Sequence, residues 1–181
     1  DWSSDVCSSD LLTLSGTDLE LLSNLSLSSD AAVAVKELRL ENKTLTLAST
    51  SSFTVTNQLV LDNLNEKIIW NETSGLTLSG GVMLVTNGVL AWKNPANLSI
   101  GNITLNGGVF EIGENEPQTF TLASNLTLTA DSEIKFNSGS TLNYSGEELL
   151  LGKSLSLTGS GQLQNTNSLN LGDGNGKLKL S

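Results

Sequence analysis

Histidine is absent from the 181 residues, cysteine occurs once at Cys7, and arginine once at Arg39. Without imidazole, metal sites and Ser-His-Asp arrangements lose their commonest ligand and general base. A formal charge of -10 with so few basic groups argues against a nucleic-acid binder, which needs a basic patch to neutralise phosphates. Aromatic residues make up 4% of the chain and apolar residues 38%, thin for a globule but adequate for a narrow core lined by Leu, Val and Ile. No stretch of about a dozen residues carries a 3.6-residue apolar period, so neither a helix nor a transmembrane segment is expected. Val33 to Leu40, with its Ala, Lys and Glu, is the one stretch that invites a helical reading.

The first eleven residues, D-W-S-S-D-V-C-S-S-D-L, share neither the composition nor the period of the rest of the chain. They match the translation of a common sequencing adapter in one frame, so residues 1–11 are expected to be non-native and irregular and carry no weight in fold reasoning. Setting aside Asp1, Asp5 and Asp10 leaves a charge of -7, and Cys7 goes with them. Residues 12–181 are then free of cysteine, which suits an exported bacterial protein.

What the chain does contain is apolar doublets at i and i+2, the spacing that points two side chains to one face of a strand. Leu98-Ser-Ile100, Ile103-Thr-Leu105 and Phe110-Glu-Ile112 form one unit of three such runs, joined by Gly101-Asn102 and by Asn106-Gly107-Gly108. Gly and Asn tolerate bent or left-handed backbone at least cost. The unit recurs about every 22 residues, and fixed self-similarity in this range marks a solenoid.

The doublets fall into three columns. The first holds Leu25-Leu27, Leu45-Leu47, Ile68-Trp70, Leu90-Trp92, Phe110-Ile112, Ile134-Phe136, Leu155-Leu157 and Leu178-Leu180. Leu12-Leu14, Val33-Val35, Phe53-Val55, Leu76-Leu78, Leu98-Ile100, Phe120-Leu122, Leu142-Tyr144 and a degraded Leu163 make the second. The third is Leu19-Leu21, Leu38-Leu40, Leu59-Leu61, Val82-Leu84, Ile103-Leu105, Leu126-Leu128, Leu149-Leu151 and Leu169-Leu171. Steps within a column run from 19 to 24 residues.

The expected fold is therefore all-β: a single-stranded parallel β-helix of three sheets, about 22 residues per turn and roughly seven to eight turns, with turns ~4.8 Å apart. The right-handed form is expected, because the strict hexapeptide repeats of left-handed β-helices are absent. Residues 12–181 read as a solenoid fragment without native caps, whose open ends favour end-to-end self-association. Corners between the second and third columns are expected to be tight and rich in Gly, Asn and Ser.

Catalysis, metals and cofactors are not expected. The carboxylates of Glu111, Glu114, Glu116 and the Glu147-Glu148 pair sit in or beside joins, where solvated charge accounts for them. Residues 171–178, L-G-D-G-N-G-K-L, resemble the glycine-aspartate repeat of calcium-binding β-rolls, but they occur once and carry Lys177, so a flexible corner is expected. Asn-x-Ser/Thr occurs at Asn24, Asn42, Asn71, Asn97, Asn102, Asn125 and Asn143, read as Asn at corners, since many arise by chance in an Asn/Ser/Thr-rich chain and bacterial glycosylation would need a dedicated system. The outward row Thr54, Thr77, Ser99, Thr121, Asn143 suggests an ordered hydroxyl face, but doubled Thr-x-Thr rows do not persist, so ice binding is not expected.

N-L-T-L-T-A, G-L-T-L-S-G-G, N-I-T-L-N-G-G-V-F-E-I-G and S-L-S-L-T-G-S-G-Q-L resemble the stalk repeats of bacterial autotransporter passengers and filamentous-haemagglutinin-like adhesins. The resemblance spans Leu12 to Leu180 in repeat style. It implies a structural or adhesive stalk of an exported surface protein, secreted or attached at the outer membrane, that contacts other cell surfaces or polysaccharide. The same fold also serves polysaccharide-degrading or polysaccharide-binding proteins and phage tailspikes or fibres, the alternative readings. Trp70 and Trp92 lie 22 residues apart at equivalent places in the first column. If Ile68 and Leu90 point inward, both indoles join a core ladder; if Ile69 and Ala91 do, the pair forms an outer platform suited to sugar rings.

Overall fold

Alternation decides the strands. In Thr44-Leu-Thr-Leu47 and Leu126-Thr-Leu-Thr129 the leucines are buried and the threonines lie at the surface or only half-buried, as a two-residue period requires. The computed structural model describes residues 12–13, 17–69, 75–92, 98–147, 149–170 and 176–181. The proposed adapter segment lies outside them.

Strands make up all the regular structure among the described residues, with no helix. They are β1 (Leu12–Thr13), β2 (Asp18–Glu20), β3 (Leu25–Leu27), β4 (Ala32–Arg39), β5 (Thr44–Leu47), β6 (Ser52–Leu61), β7 (Lys67–Ile69) and β8 (Gly75–Leu78). Next come β9 (Val82–Val85), β10 (Val89–Trp92), β11 (Leu98–Ile100), β12 (Ile103–Asn106), β13 (Val109–Ile112), β14 (Thr119–Leu122) and β15 (Leu126–Ala130). The rest are β16 (Ser132–Phe136), β17 (Thr141–Tyr144), β18 (Leu149–Leu150), β19 (Ser154–Gly159), β20 (Gln162–Asn165), β21 (Leu169–Asn170) and β22 (Lys177–Leu180).

All strand pairs are parallel, and partners lie one turn apart in sequence. The chain is thus a β-solenoid of about six turns with about 22 residues per turn. That is fewer than the seven to eight turns counted from the columns: the longest continuous ladder, β1-β4-β6-β9-β12-β15, joins six strands. The expected three sheets become five hydrogen-bonded sheets on three faces. The first face carries β3-β5-β7 and β10-β13-β16-β19-β22; the second ends in β14-β17-β20, and the third in β18-β21. On their earlier turns the second and third faces share one sheet, because β4 and β6 run from one face to the next without a break.

This continuity departs from the expected Gly/Asn/Ser corner. At Val35-Lys36-Glu37 the chain bends through a register shift, with Val35 opposite Val55 and Glu37 opposite Gln58, so one extra residue on β6 makes the corner. The strand at Ala32–Arg39 also removes the helical reading of that stretch. Where glycine does form the corner it is required by contact. A Cβ on Gly80 would collide with the Asn57 carbonyl of the turn below, and one on Gly88 with the Leu61 carbonyl.

Register follows the columns with one exception. Leu90 faces Phe110 and then Ile134; Phe53 faces Leu76; Leu59 faces Val82 and then Ile103. At β16 to β19 the expected partner of Ile134 was Leu155, but Ile134 pairs with Leu157 and Phe136 with Gly159. The slip is two residues, so inward parity is kept. Among the described residues the core is one cluster, mostly Leu, Val, Ile and Phe with Ala31 and Tyr144, in which Phe110 and Phe120 lie edge to face at 5.3 Å across two faces.

Candidate functional site

With the apolar side chains turned inward, what a partner meets is the outer rows of the three faces and the corners between them. The rows are short and mixed, polar on the second face but with Val60, Met83 and Ile69 among the outward residues of the other two. On the third face Arg39, Val60, Met83, Thr104 and Thr127 stand in line, each one turn above the last. On the second, Thr54 and Thr77 are partners, and Thr121, Asn143 and Gln164 form a separate row. β11 and β14 belong to different sheets, so the outward hydroxyl row is interrupted between Ser99 and Thr121.

The corner between the second and third faces carries side chains that staple one turn to the next. Thr56 Oγ1 donates to Val35 O at 3.2 Å, Ser79 Oγ to Val55 O at 3.3 Å, Ser124 Oγ to Ile100 O at 3.2 Å and Thr166 Oγ1 to Tyr144 O at 3.3 Å. Asparagine does the same with its carbonyl: Asn102 Oδ1 accepts from Asn125 N–H at 3.1 Å, and Asn125 Oδ1 from Glu147 N–H at 3.3 Å. At the corner between the third and first faces, Asn24 Oδ1 accepts from Thr44 N–H at 2.9 Å. Three of the Asn-x-Ser/Thr asparagines thus hold corners, in line with the corner reading. Asn42 is also at a corner, exposed and left-handed with φ 64°, whereas Asn143 lies within β17.

On the first face an ion pair joins neighbouring turns. Lys135 Nζ lies 3.3 Å from Glu111 Oε1, which also accepts from Asn137 Nδ2 at 2.6 Å. Asp131 Oδ1 accepts from Ser154 N–H at 2.8 Å. That backbone hydrogen bond, helped by Lys179 and Lys153, holds the Asp131 carboxyl below the usual carboxylate range despite a smaller opposing effect of desolvation. Glu147 is bound by Asn125 Nδ2 at 3.2 Å, and Glu114 and Glu116 are exposed. Each of Glu111 and Glu147 therefore bridges neighbouring turns. Glu148, residues 171–175 of the glycine-aspartate corner, and Asn71 and Asn97 lie outside the described residues.

Trp70 and the side chain of Trp92 lie outside the described residues, although Trp92 ends β10 opposite Ile112. Around them, Leu90 is 3% exposed and Ile69 51%.

Glu66 gave no signal in the sequence, since no other turn carries an acid at its place. It is 6% exposed, and its carboxylate accepts from Asp62 N–H at 2.9 Å, Asn63 N–H at 3.2 Å and Asn42 N–H at 3.4 Å. It anchors the loop between the third and first faces and presents Leu64, 66% exposed, at the surface. Among the described residues no three Asp, Glu, Cys or His side chains gather as metal ligands, and no helix is long and apolar enough to cross a membrane. Searches against family models, curated proteins and solved structures find no match to this chain.

Proposed function

We propose that the chain is a stalk segment of an exported bacterial surface protein of the autotransporter-passenger or filamentous-haemagglutinin-like kind, with a mechanical and adhesive role and no catalytic one. The observation that supports this reading is the division of labour between the two sides of each strand. The inward residues make an apolar core, while the corners and most outward positions are Thr, Ser, Asn and charged residues that join turn to turn, with Val60, Met83 and Ile69 among the apolar exceptions. Such a rod has length, stiffness and a repeated hydroxyl and amide surface for low-affinity contact with another cell surface or with polysaccharide.

The test is the full-length reading frame and its product. A membrane-barrel segment downstream, with the solenoid released from intact cells by external protease, is the expected result. An intracellular product that external protease cannot reach would refute the reading. An obligate trimer encoded among phage genes would favour a tailspike, and depolymerisation of a polysaccharide by the purified protein would favour the enzyme.

A further inference from the structure

Three Asn-Gly dipeptides occur in the chain, at 87–88, 106–107 and 175–176. Asparagine is thermolabile, most of all before glycine, whose main-chain nitrogen has no side chain to shield it from the asparagine amide. Asn175 lies outside the described residues. The other two dipeptides stand on adjacent turns at the corner between the third and first faces, where β9 passes to β10 and β12 to β13. Neither glycine is readily replaced there. Gly88 lies against the Leu61 carbonyl, and Gly107 is left-handed at φ 88°, with a Cβ that would sit 2.5 Å from Thr86 Oγ1. Stacking the turns therefore forces a chemically weak link into the corner.

Both glycine amides are held, but by different groups. Gly88 N–H donates to Val85 O at 2.7 Å, within its own turn. Gly107 N–H crosses to the turn above and donates to Ser132 Oγ at 3.0 Å. Ser132 is 8% exposed, and its own hydroxyl donates to Ala130 O at 2.8 Å, which leaves a lone pair facing Gly107. One acceptor is a main-chain carbonyl that no substitution removes. The other is a single buried hydroxyl.

We propose that Ser132 guards Asn106-Gly107, a modification site whose reagent is water. The unguarded reaction begins when the Gly107 nitrogen loses its proton to hydroxide and attacks Asn106 Cγ. The new N–C bond closes a succinimide as the side-chain nitrogen leaves as ammonia, and water then opens the ring to aspartate or isoaspartate. While Ser132 Oγ holds the N–H, the nitrogen is neither deprotonated nor turned toward Cγ, so closure waits on local opening of the corner. Isoaspartate adds a methylene to the main chain of β12, where Asn106 stands opposite Val85 below and Ala130 above. One escaped event thus disturbs the ladder on both sides.

The experiment follows both sites in one sample, by peptide mass spectrometry and isoaspartate labelling in mildly alkaline buffer, with the urea-unfolded chain as reference. In the wild type both sites should convert far more slowly than in urea, and hydrogen exchange should find the Gly107 amide protected like that of Gly88. In Ser132→Ala, conversion at Asn106 should rise about 3- to 10-fold, the weight of a single hydrogen bond, while Asn87 keeps its wild-type rate. An Asn106 rate unchanged by Ser132→Ala would overturn the proposal, and so would a joint rise at Asn87 and Asn106, which marks general loosening of the corner. A Gly107 amide that exchanges freely in the wild type would overturn it too, and that measurement stands even if Ser132→Ala does not fold.

Discussion

Leu105 is fully buried, one turn above Leu84 and one turn below Leu128, and its neighbour Thr104 faces outward between Met83 and Thr127. Replacing each with aspartate puts the same charge on adjacent residues of one strand and asks only which side is dry. Leu105→Ala should cost about 2–5 kcal/mol from lost transfer and the cavity left behind. Leu105→Asp adds the burial of a carboxylate with no partner, several kcal/mol more, relieved in part by protonation. Thr104→Asp loses only some strand preference, on the order of 1 kcal/mol or less. Urea unfolding followed by circular dichroism measures all three, with Leu105→Ala keeping the comparison readable if Leu105→Asp does not fold. Because each turn is stabilised by its neighbours, the loss at Leu105 should appear as a broadened or split transition and not as a local change alone. Equal destabilisation by Leu105→Asp and Thr104→Asp would refute the inward assignment of this strand.

Gly80→Ala should destabilise strongly in thermal unfolding, since its Cβ meets the Asn57 carbonyl, whereas Gly75→Ala, whose Cβ finds only Ser52 Cβ at 3.6 Å, should be neutral or gain about 0.4–1 kcal/mol through the unfolded state. Glu66→Ala leaves three backbone N–H groups without their acceptor and should cost about 1–3 kcal/mol, with Glu66→Gln intermediate; equal stability of all three proteins would show that the carboxylate anchors nothing. The depressed pKa of Asp131 means that its folded form binds its proton less readily than the unfolded chain. Its contribution is therefore present above the usual carboxylate pKa near 4 and lost as pH falls through the lower folded value, so Asp131→Asn should flatten the acid side of the melting-temperature profile and leave the rest of its shape unchanged.

The columns were legible because a two-residue period, repeated at a steady step, marks the inward face of every strand without knowledge of its partners. The same property hides register. The run Ser154-Leu155-Ser156-Leu157 offers two inward leucines to Ile134, and a slip of two residues leaves every side chain on its own face. What separates the alternatives is local and not periodic: Asp131 takes the Ser154 N–H, and Gly159, left-handed at φ 85°, accepts the close approach of the Phe136 carbonyl. The unbroken corner at Val35-Lys36-Glu37 was missed because a bulge needs only one extra residue on the partner strand and no glycine. Glu66 was invisible for the opposite reason, as a solitary acid whose partners are backbone groups on two different corners. The corner reading of asparagine holds at Asn24, Asn42, Asn102 and Asn125 and fails at Asn143, which lies in β17, and the carbonyl bond to the turn above emerges only once Asn102, Asn125 and Glu147 are seen to stack.

The claim on which the proposed function rests is that the chain is a rod that advances one strand spacing per 22-residue turn, and pulsed dipolar spectroscopy on paired spin labels tests it most directly. Glu20, Arg39 and Thr127 are exposed and lie on one ladder, with Glu20 beside Arg39 and Arg39 four steps from Thr127 through Val60, Met83 and Thr104. In a Cys7→Ser background, backbone separations of about 19 Å for the 39/127 pair and about 24 Å for the 20/127 pair are expected, one strand spacing apart. Separations that do not grow by about 5 Å when a turn is added would contradict the solenoid, and with it the stalk.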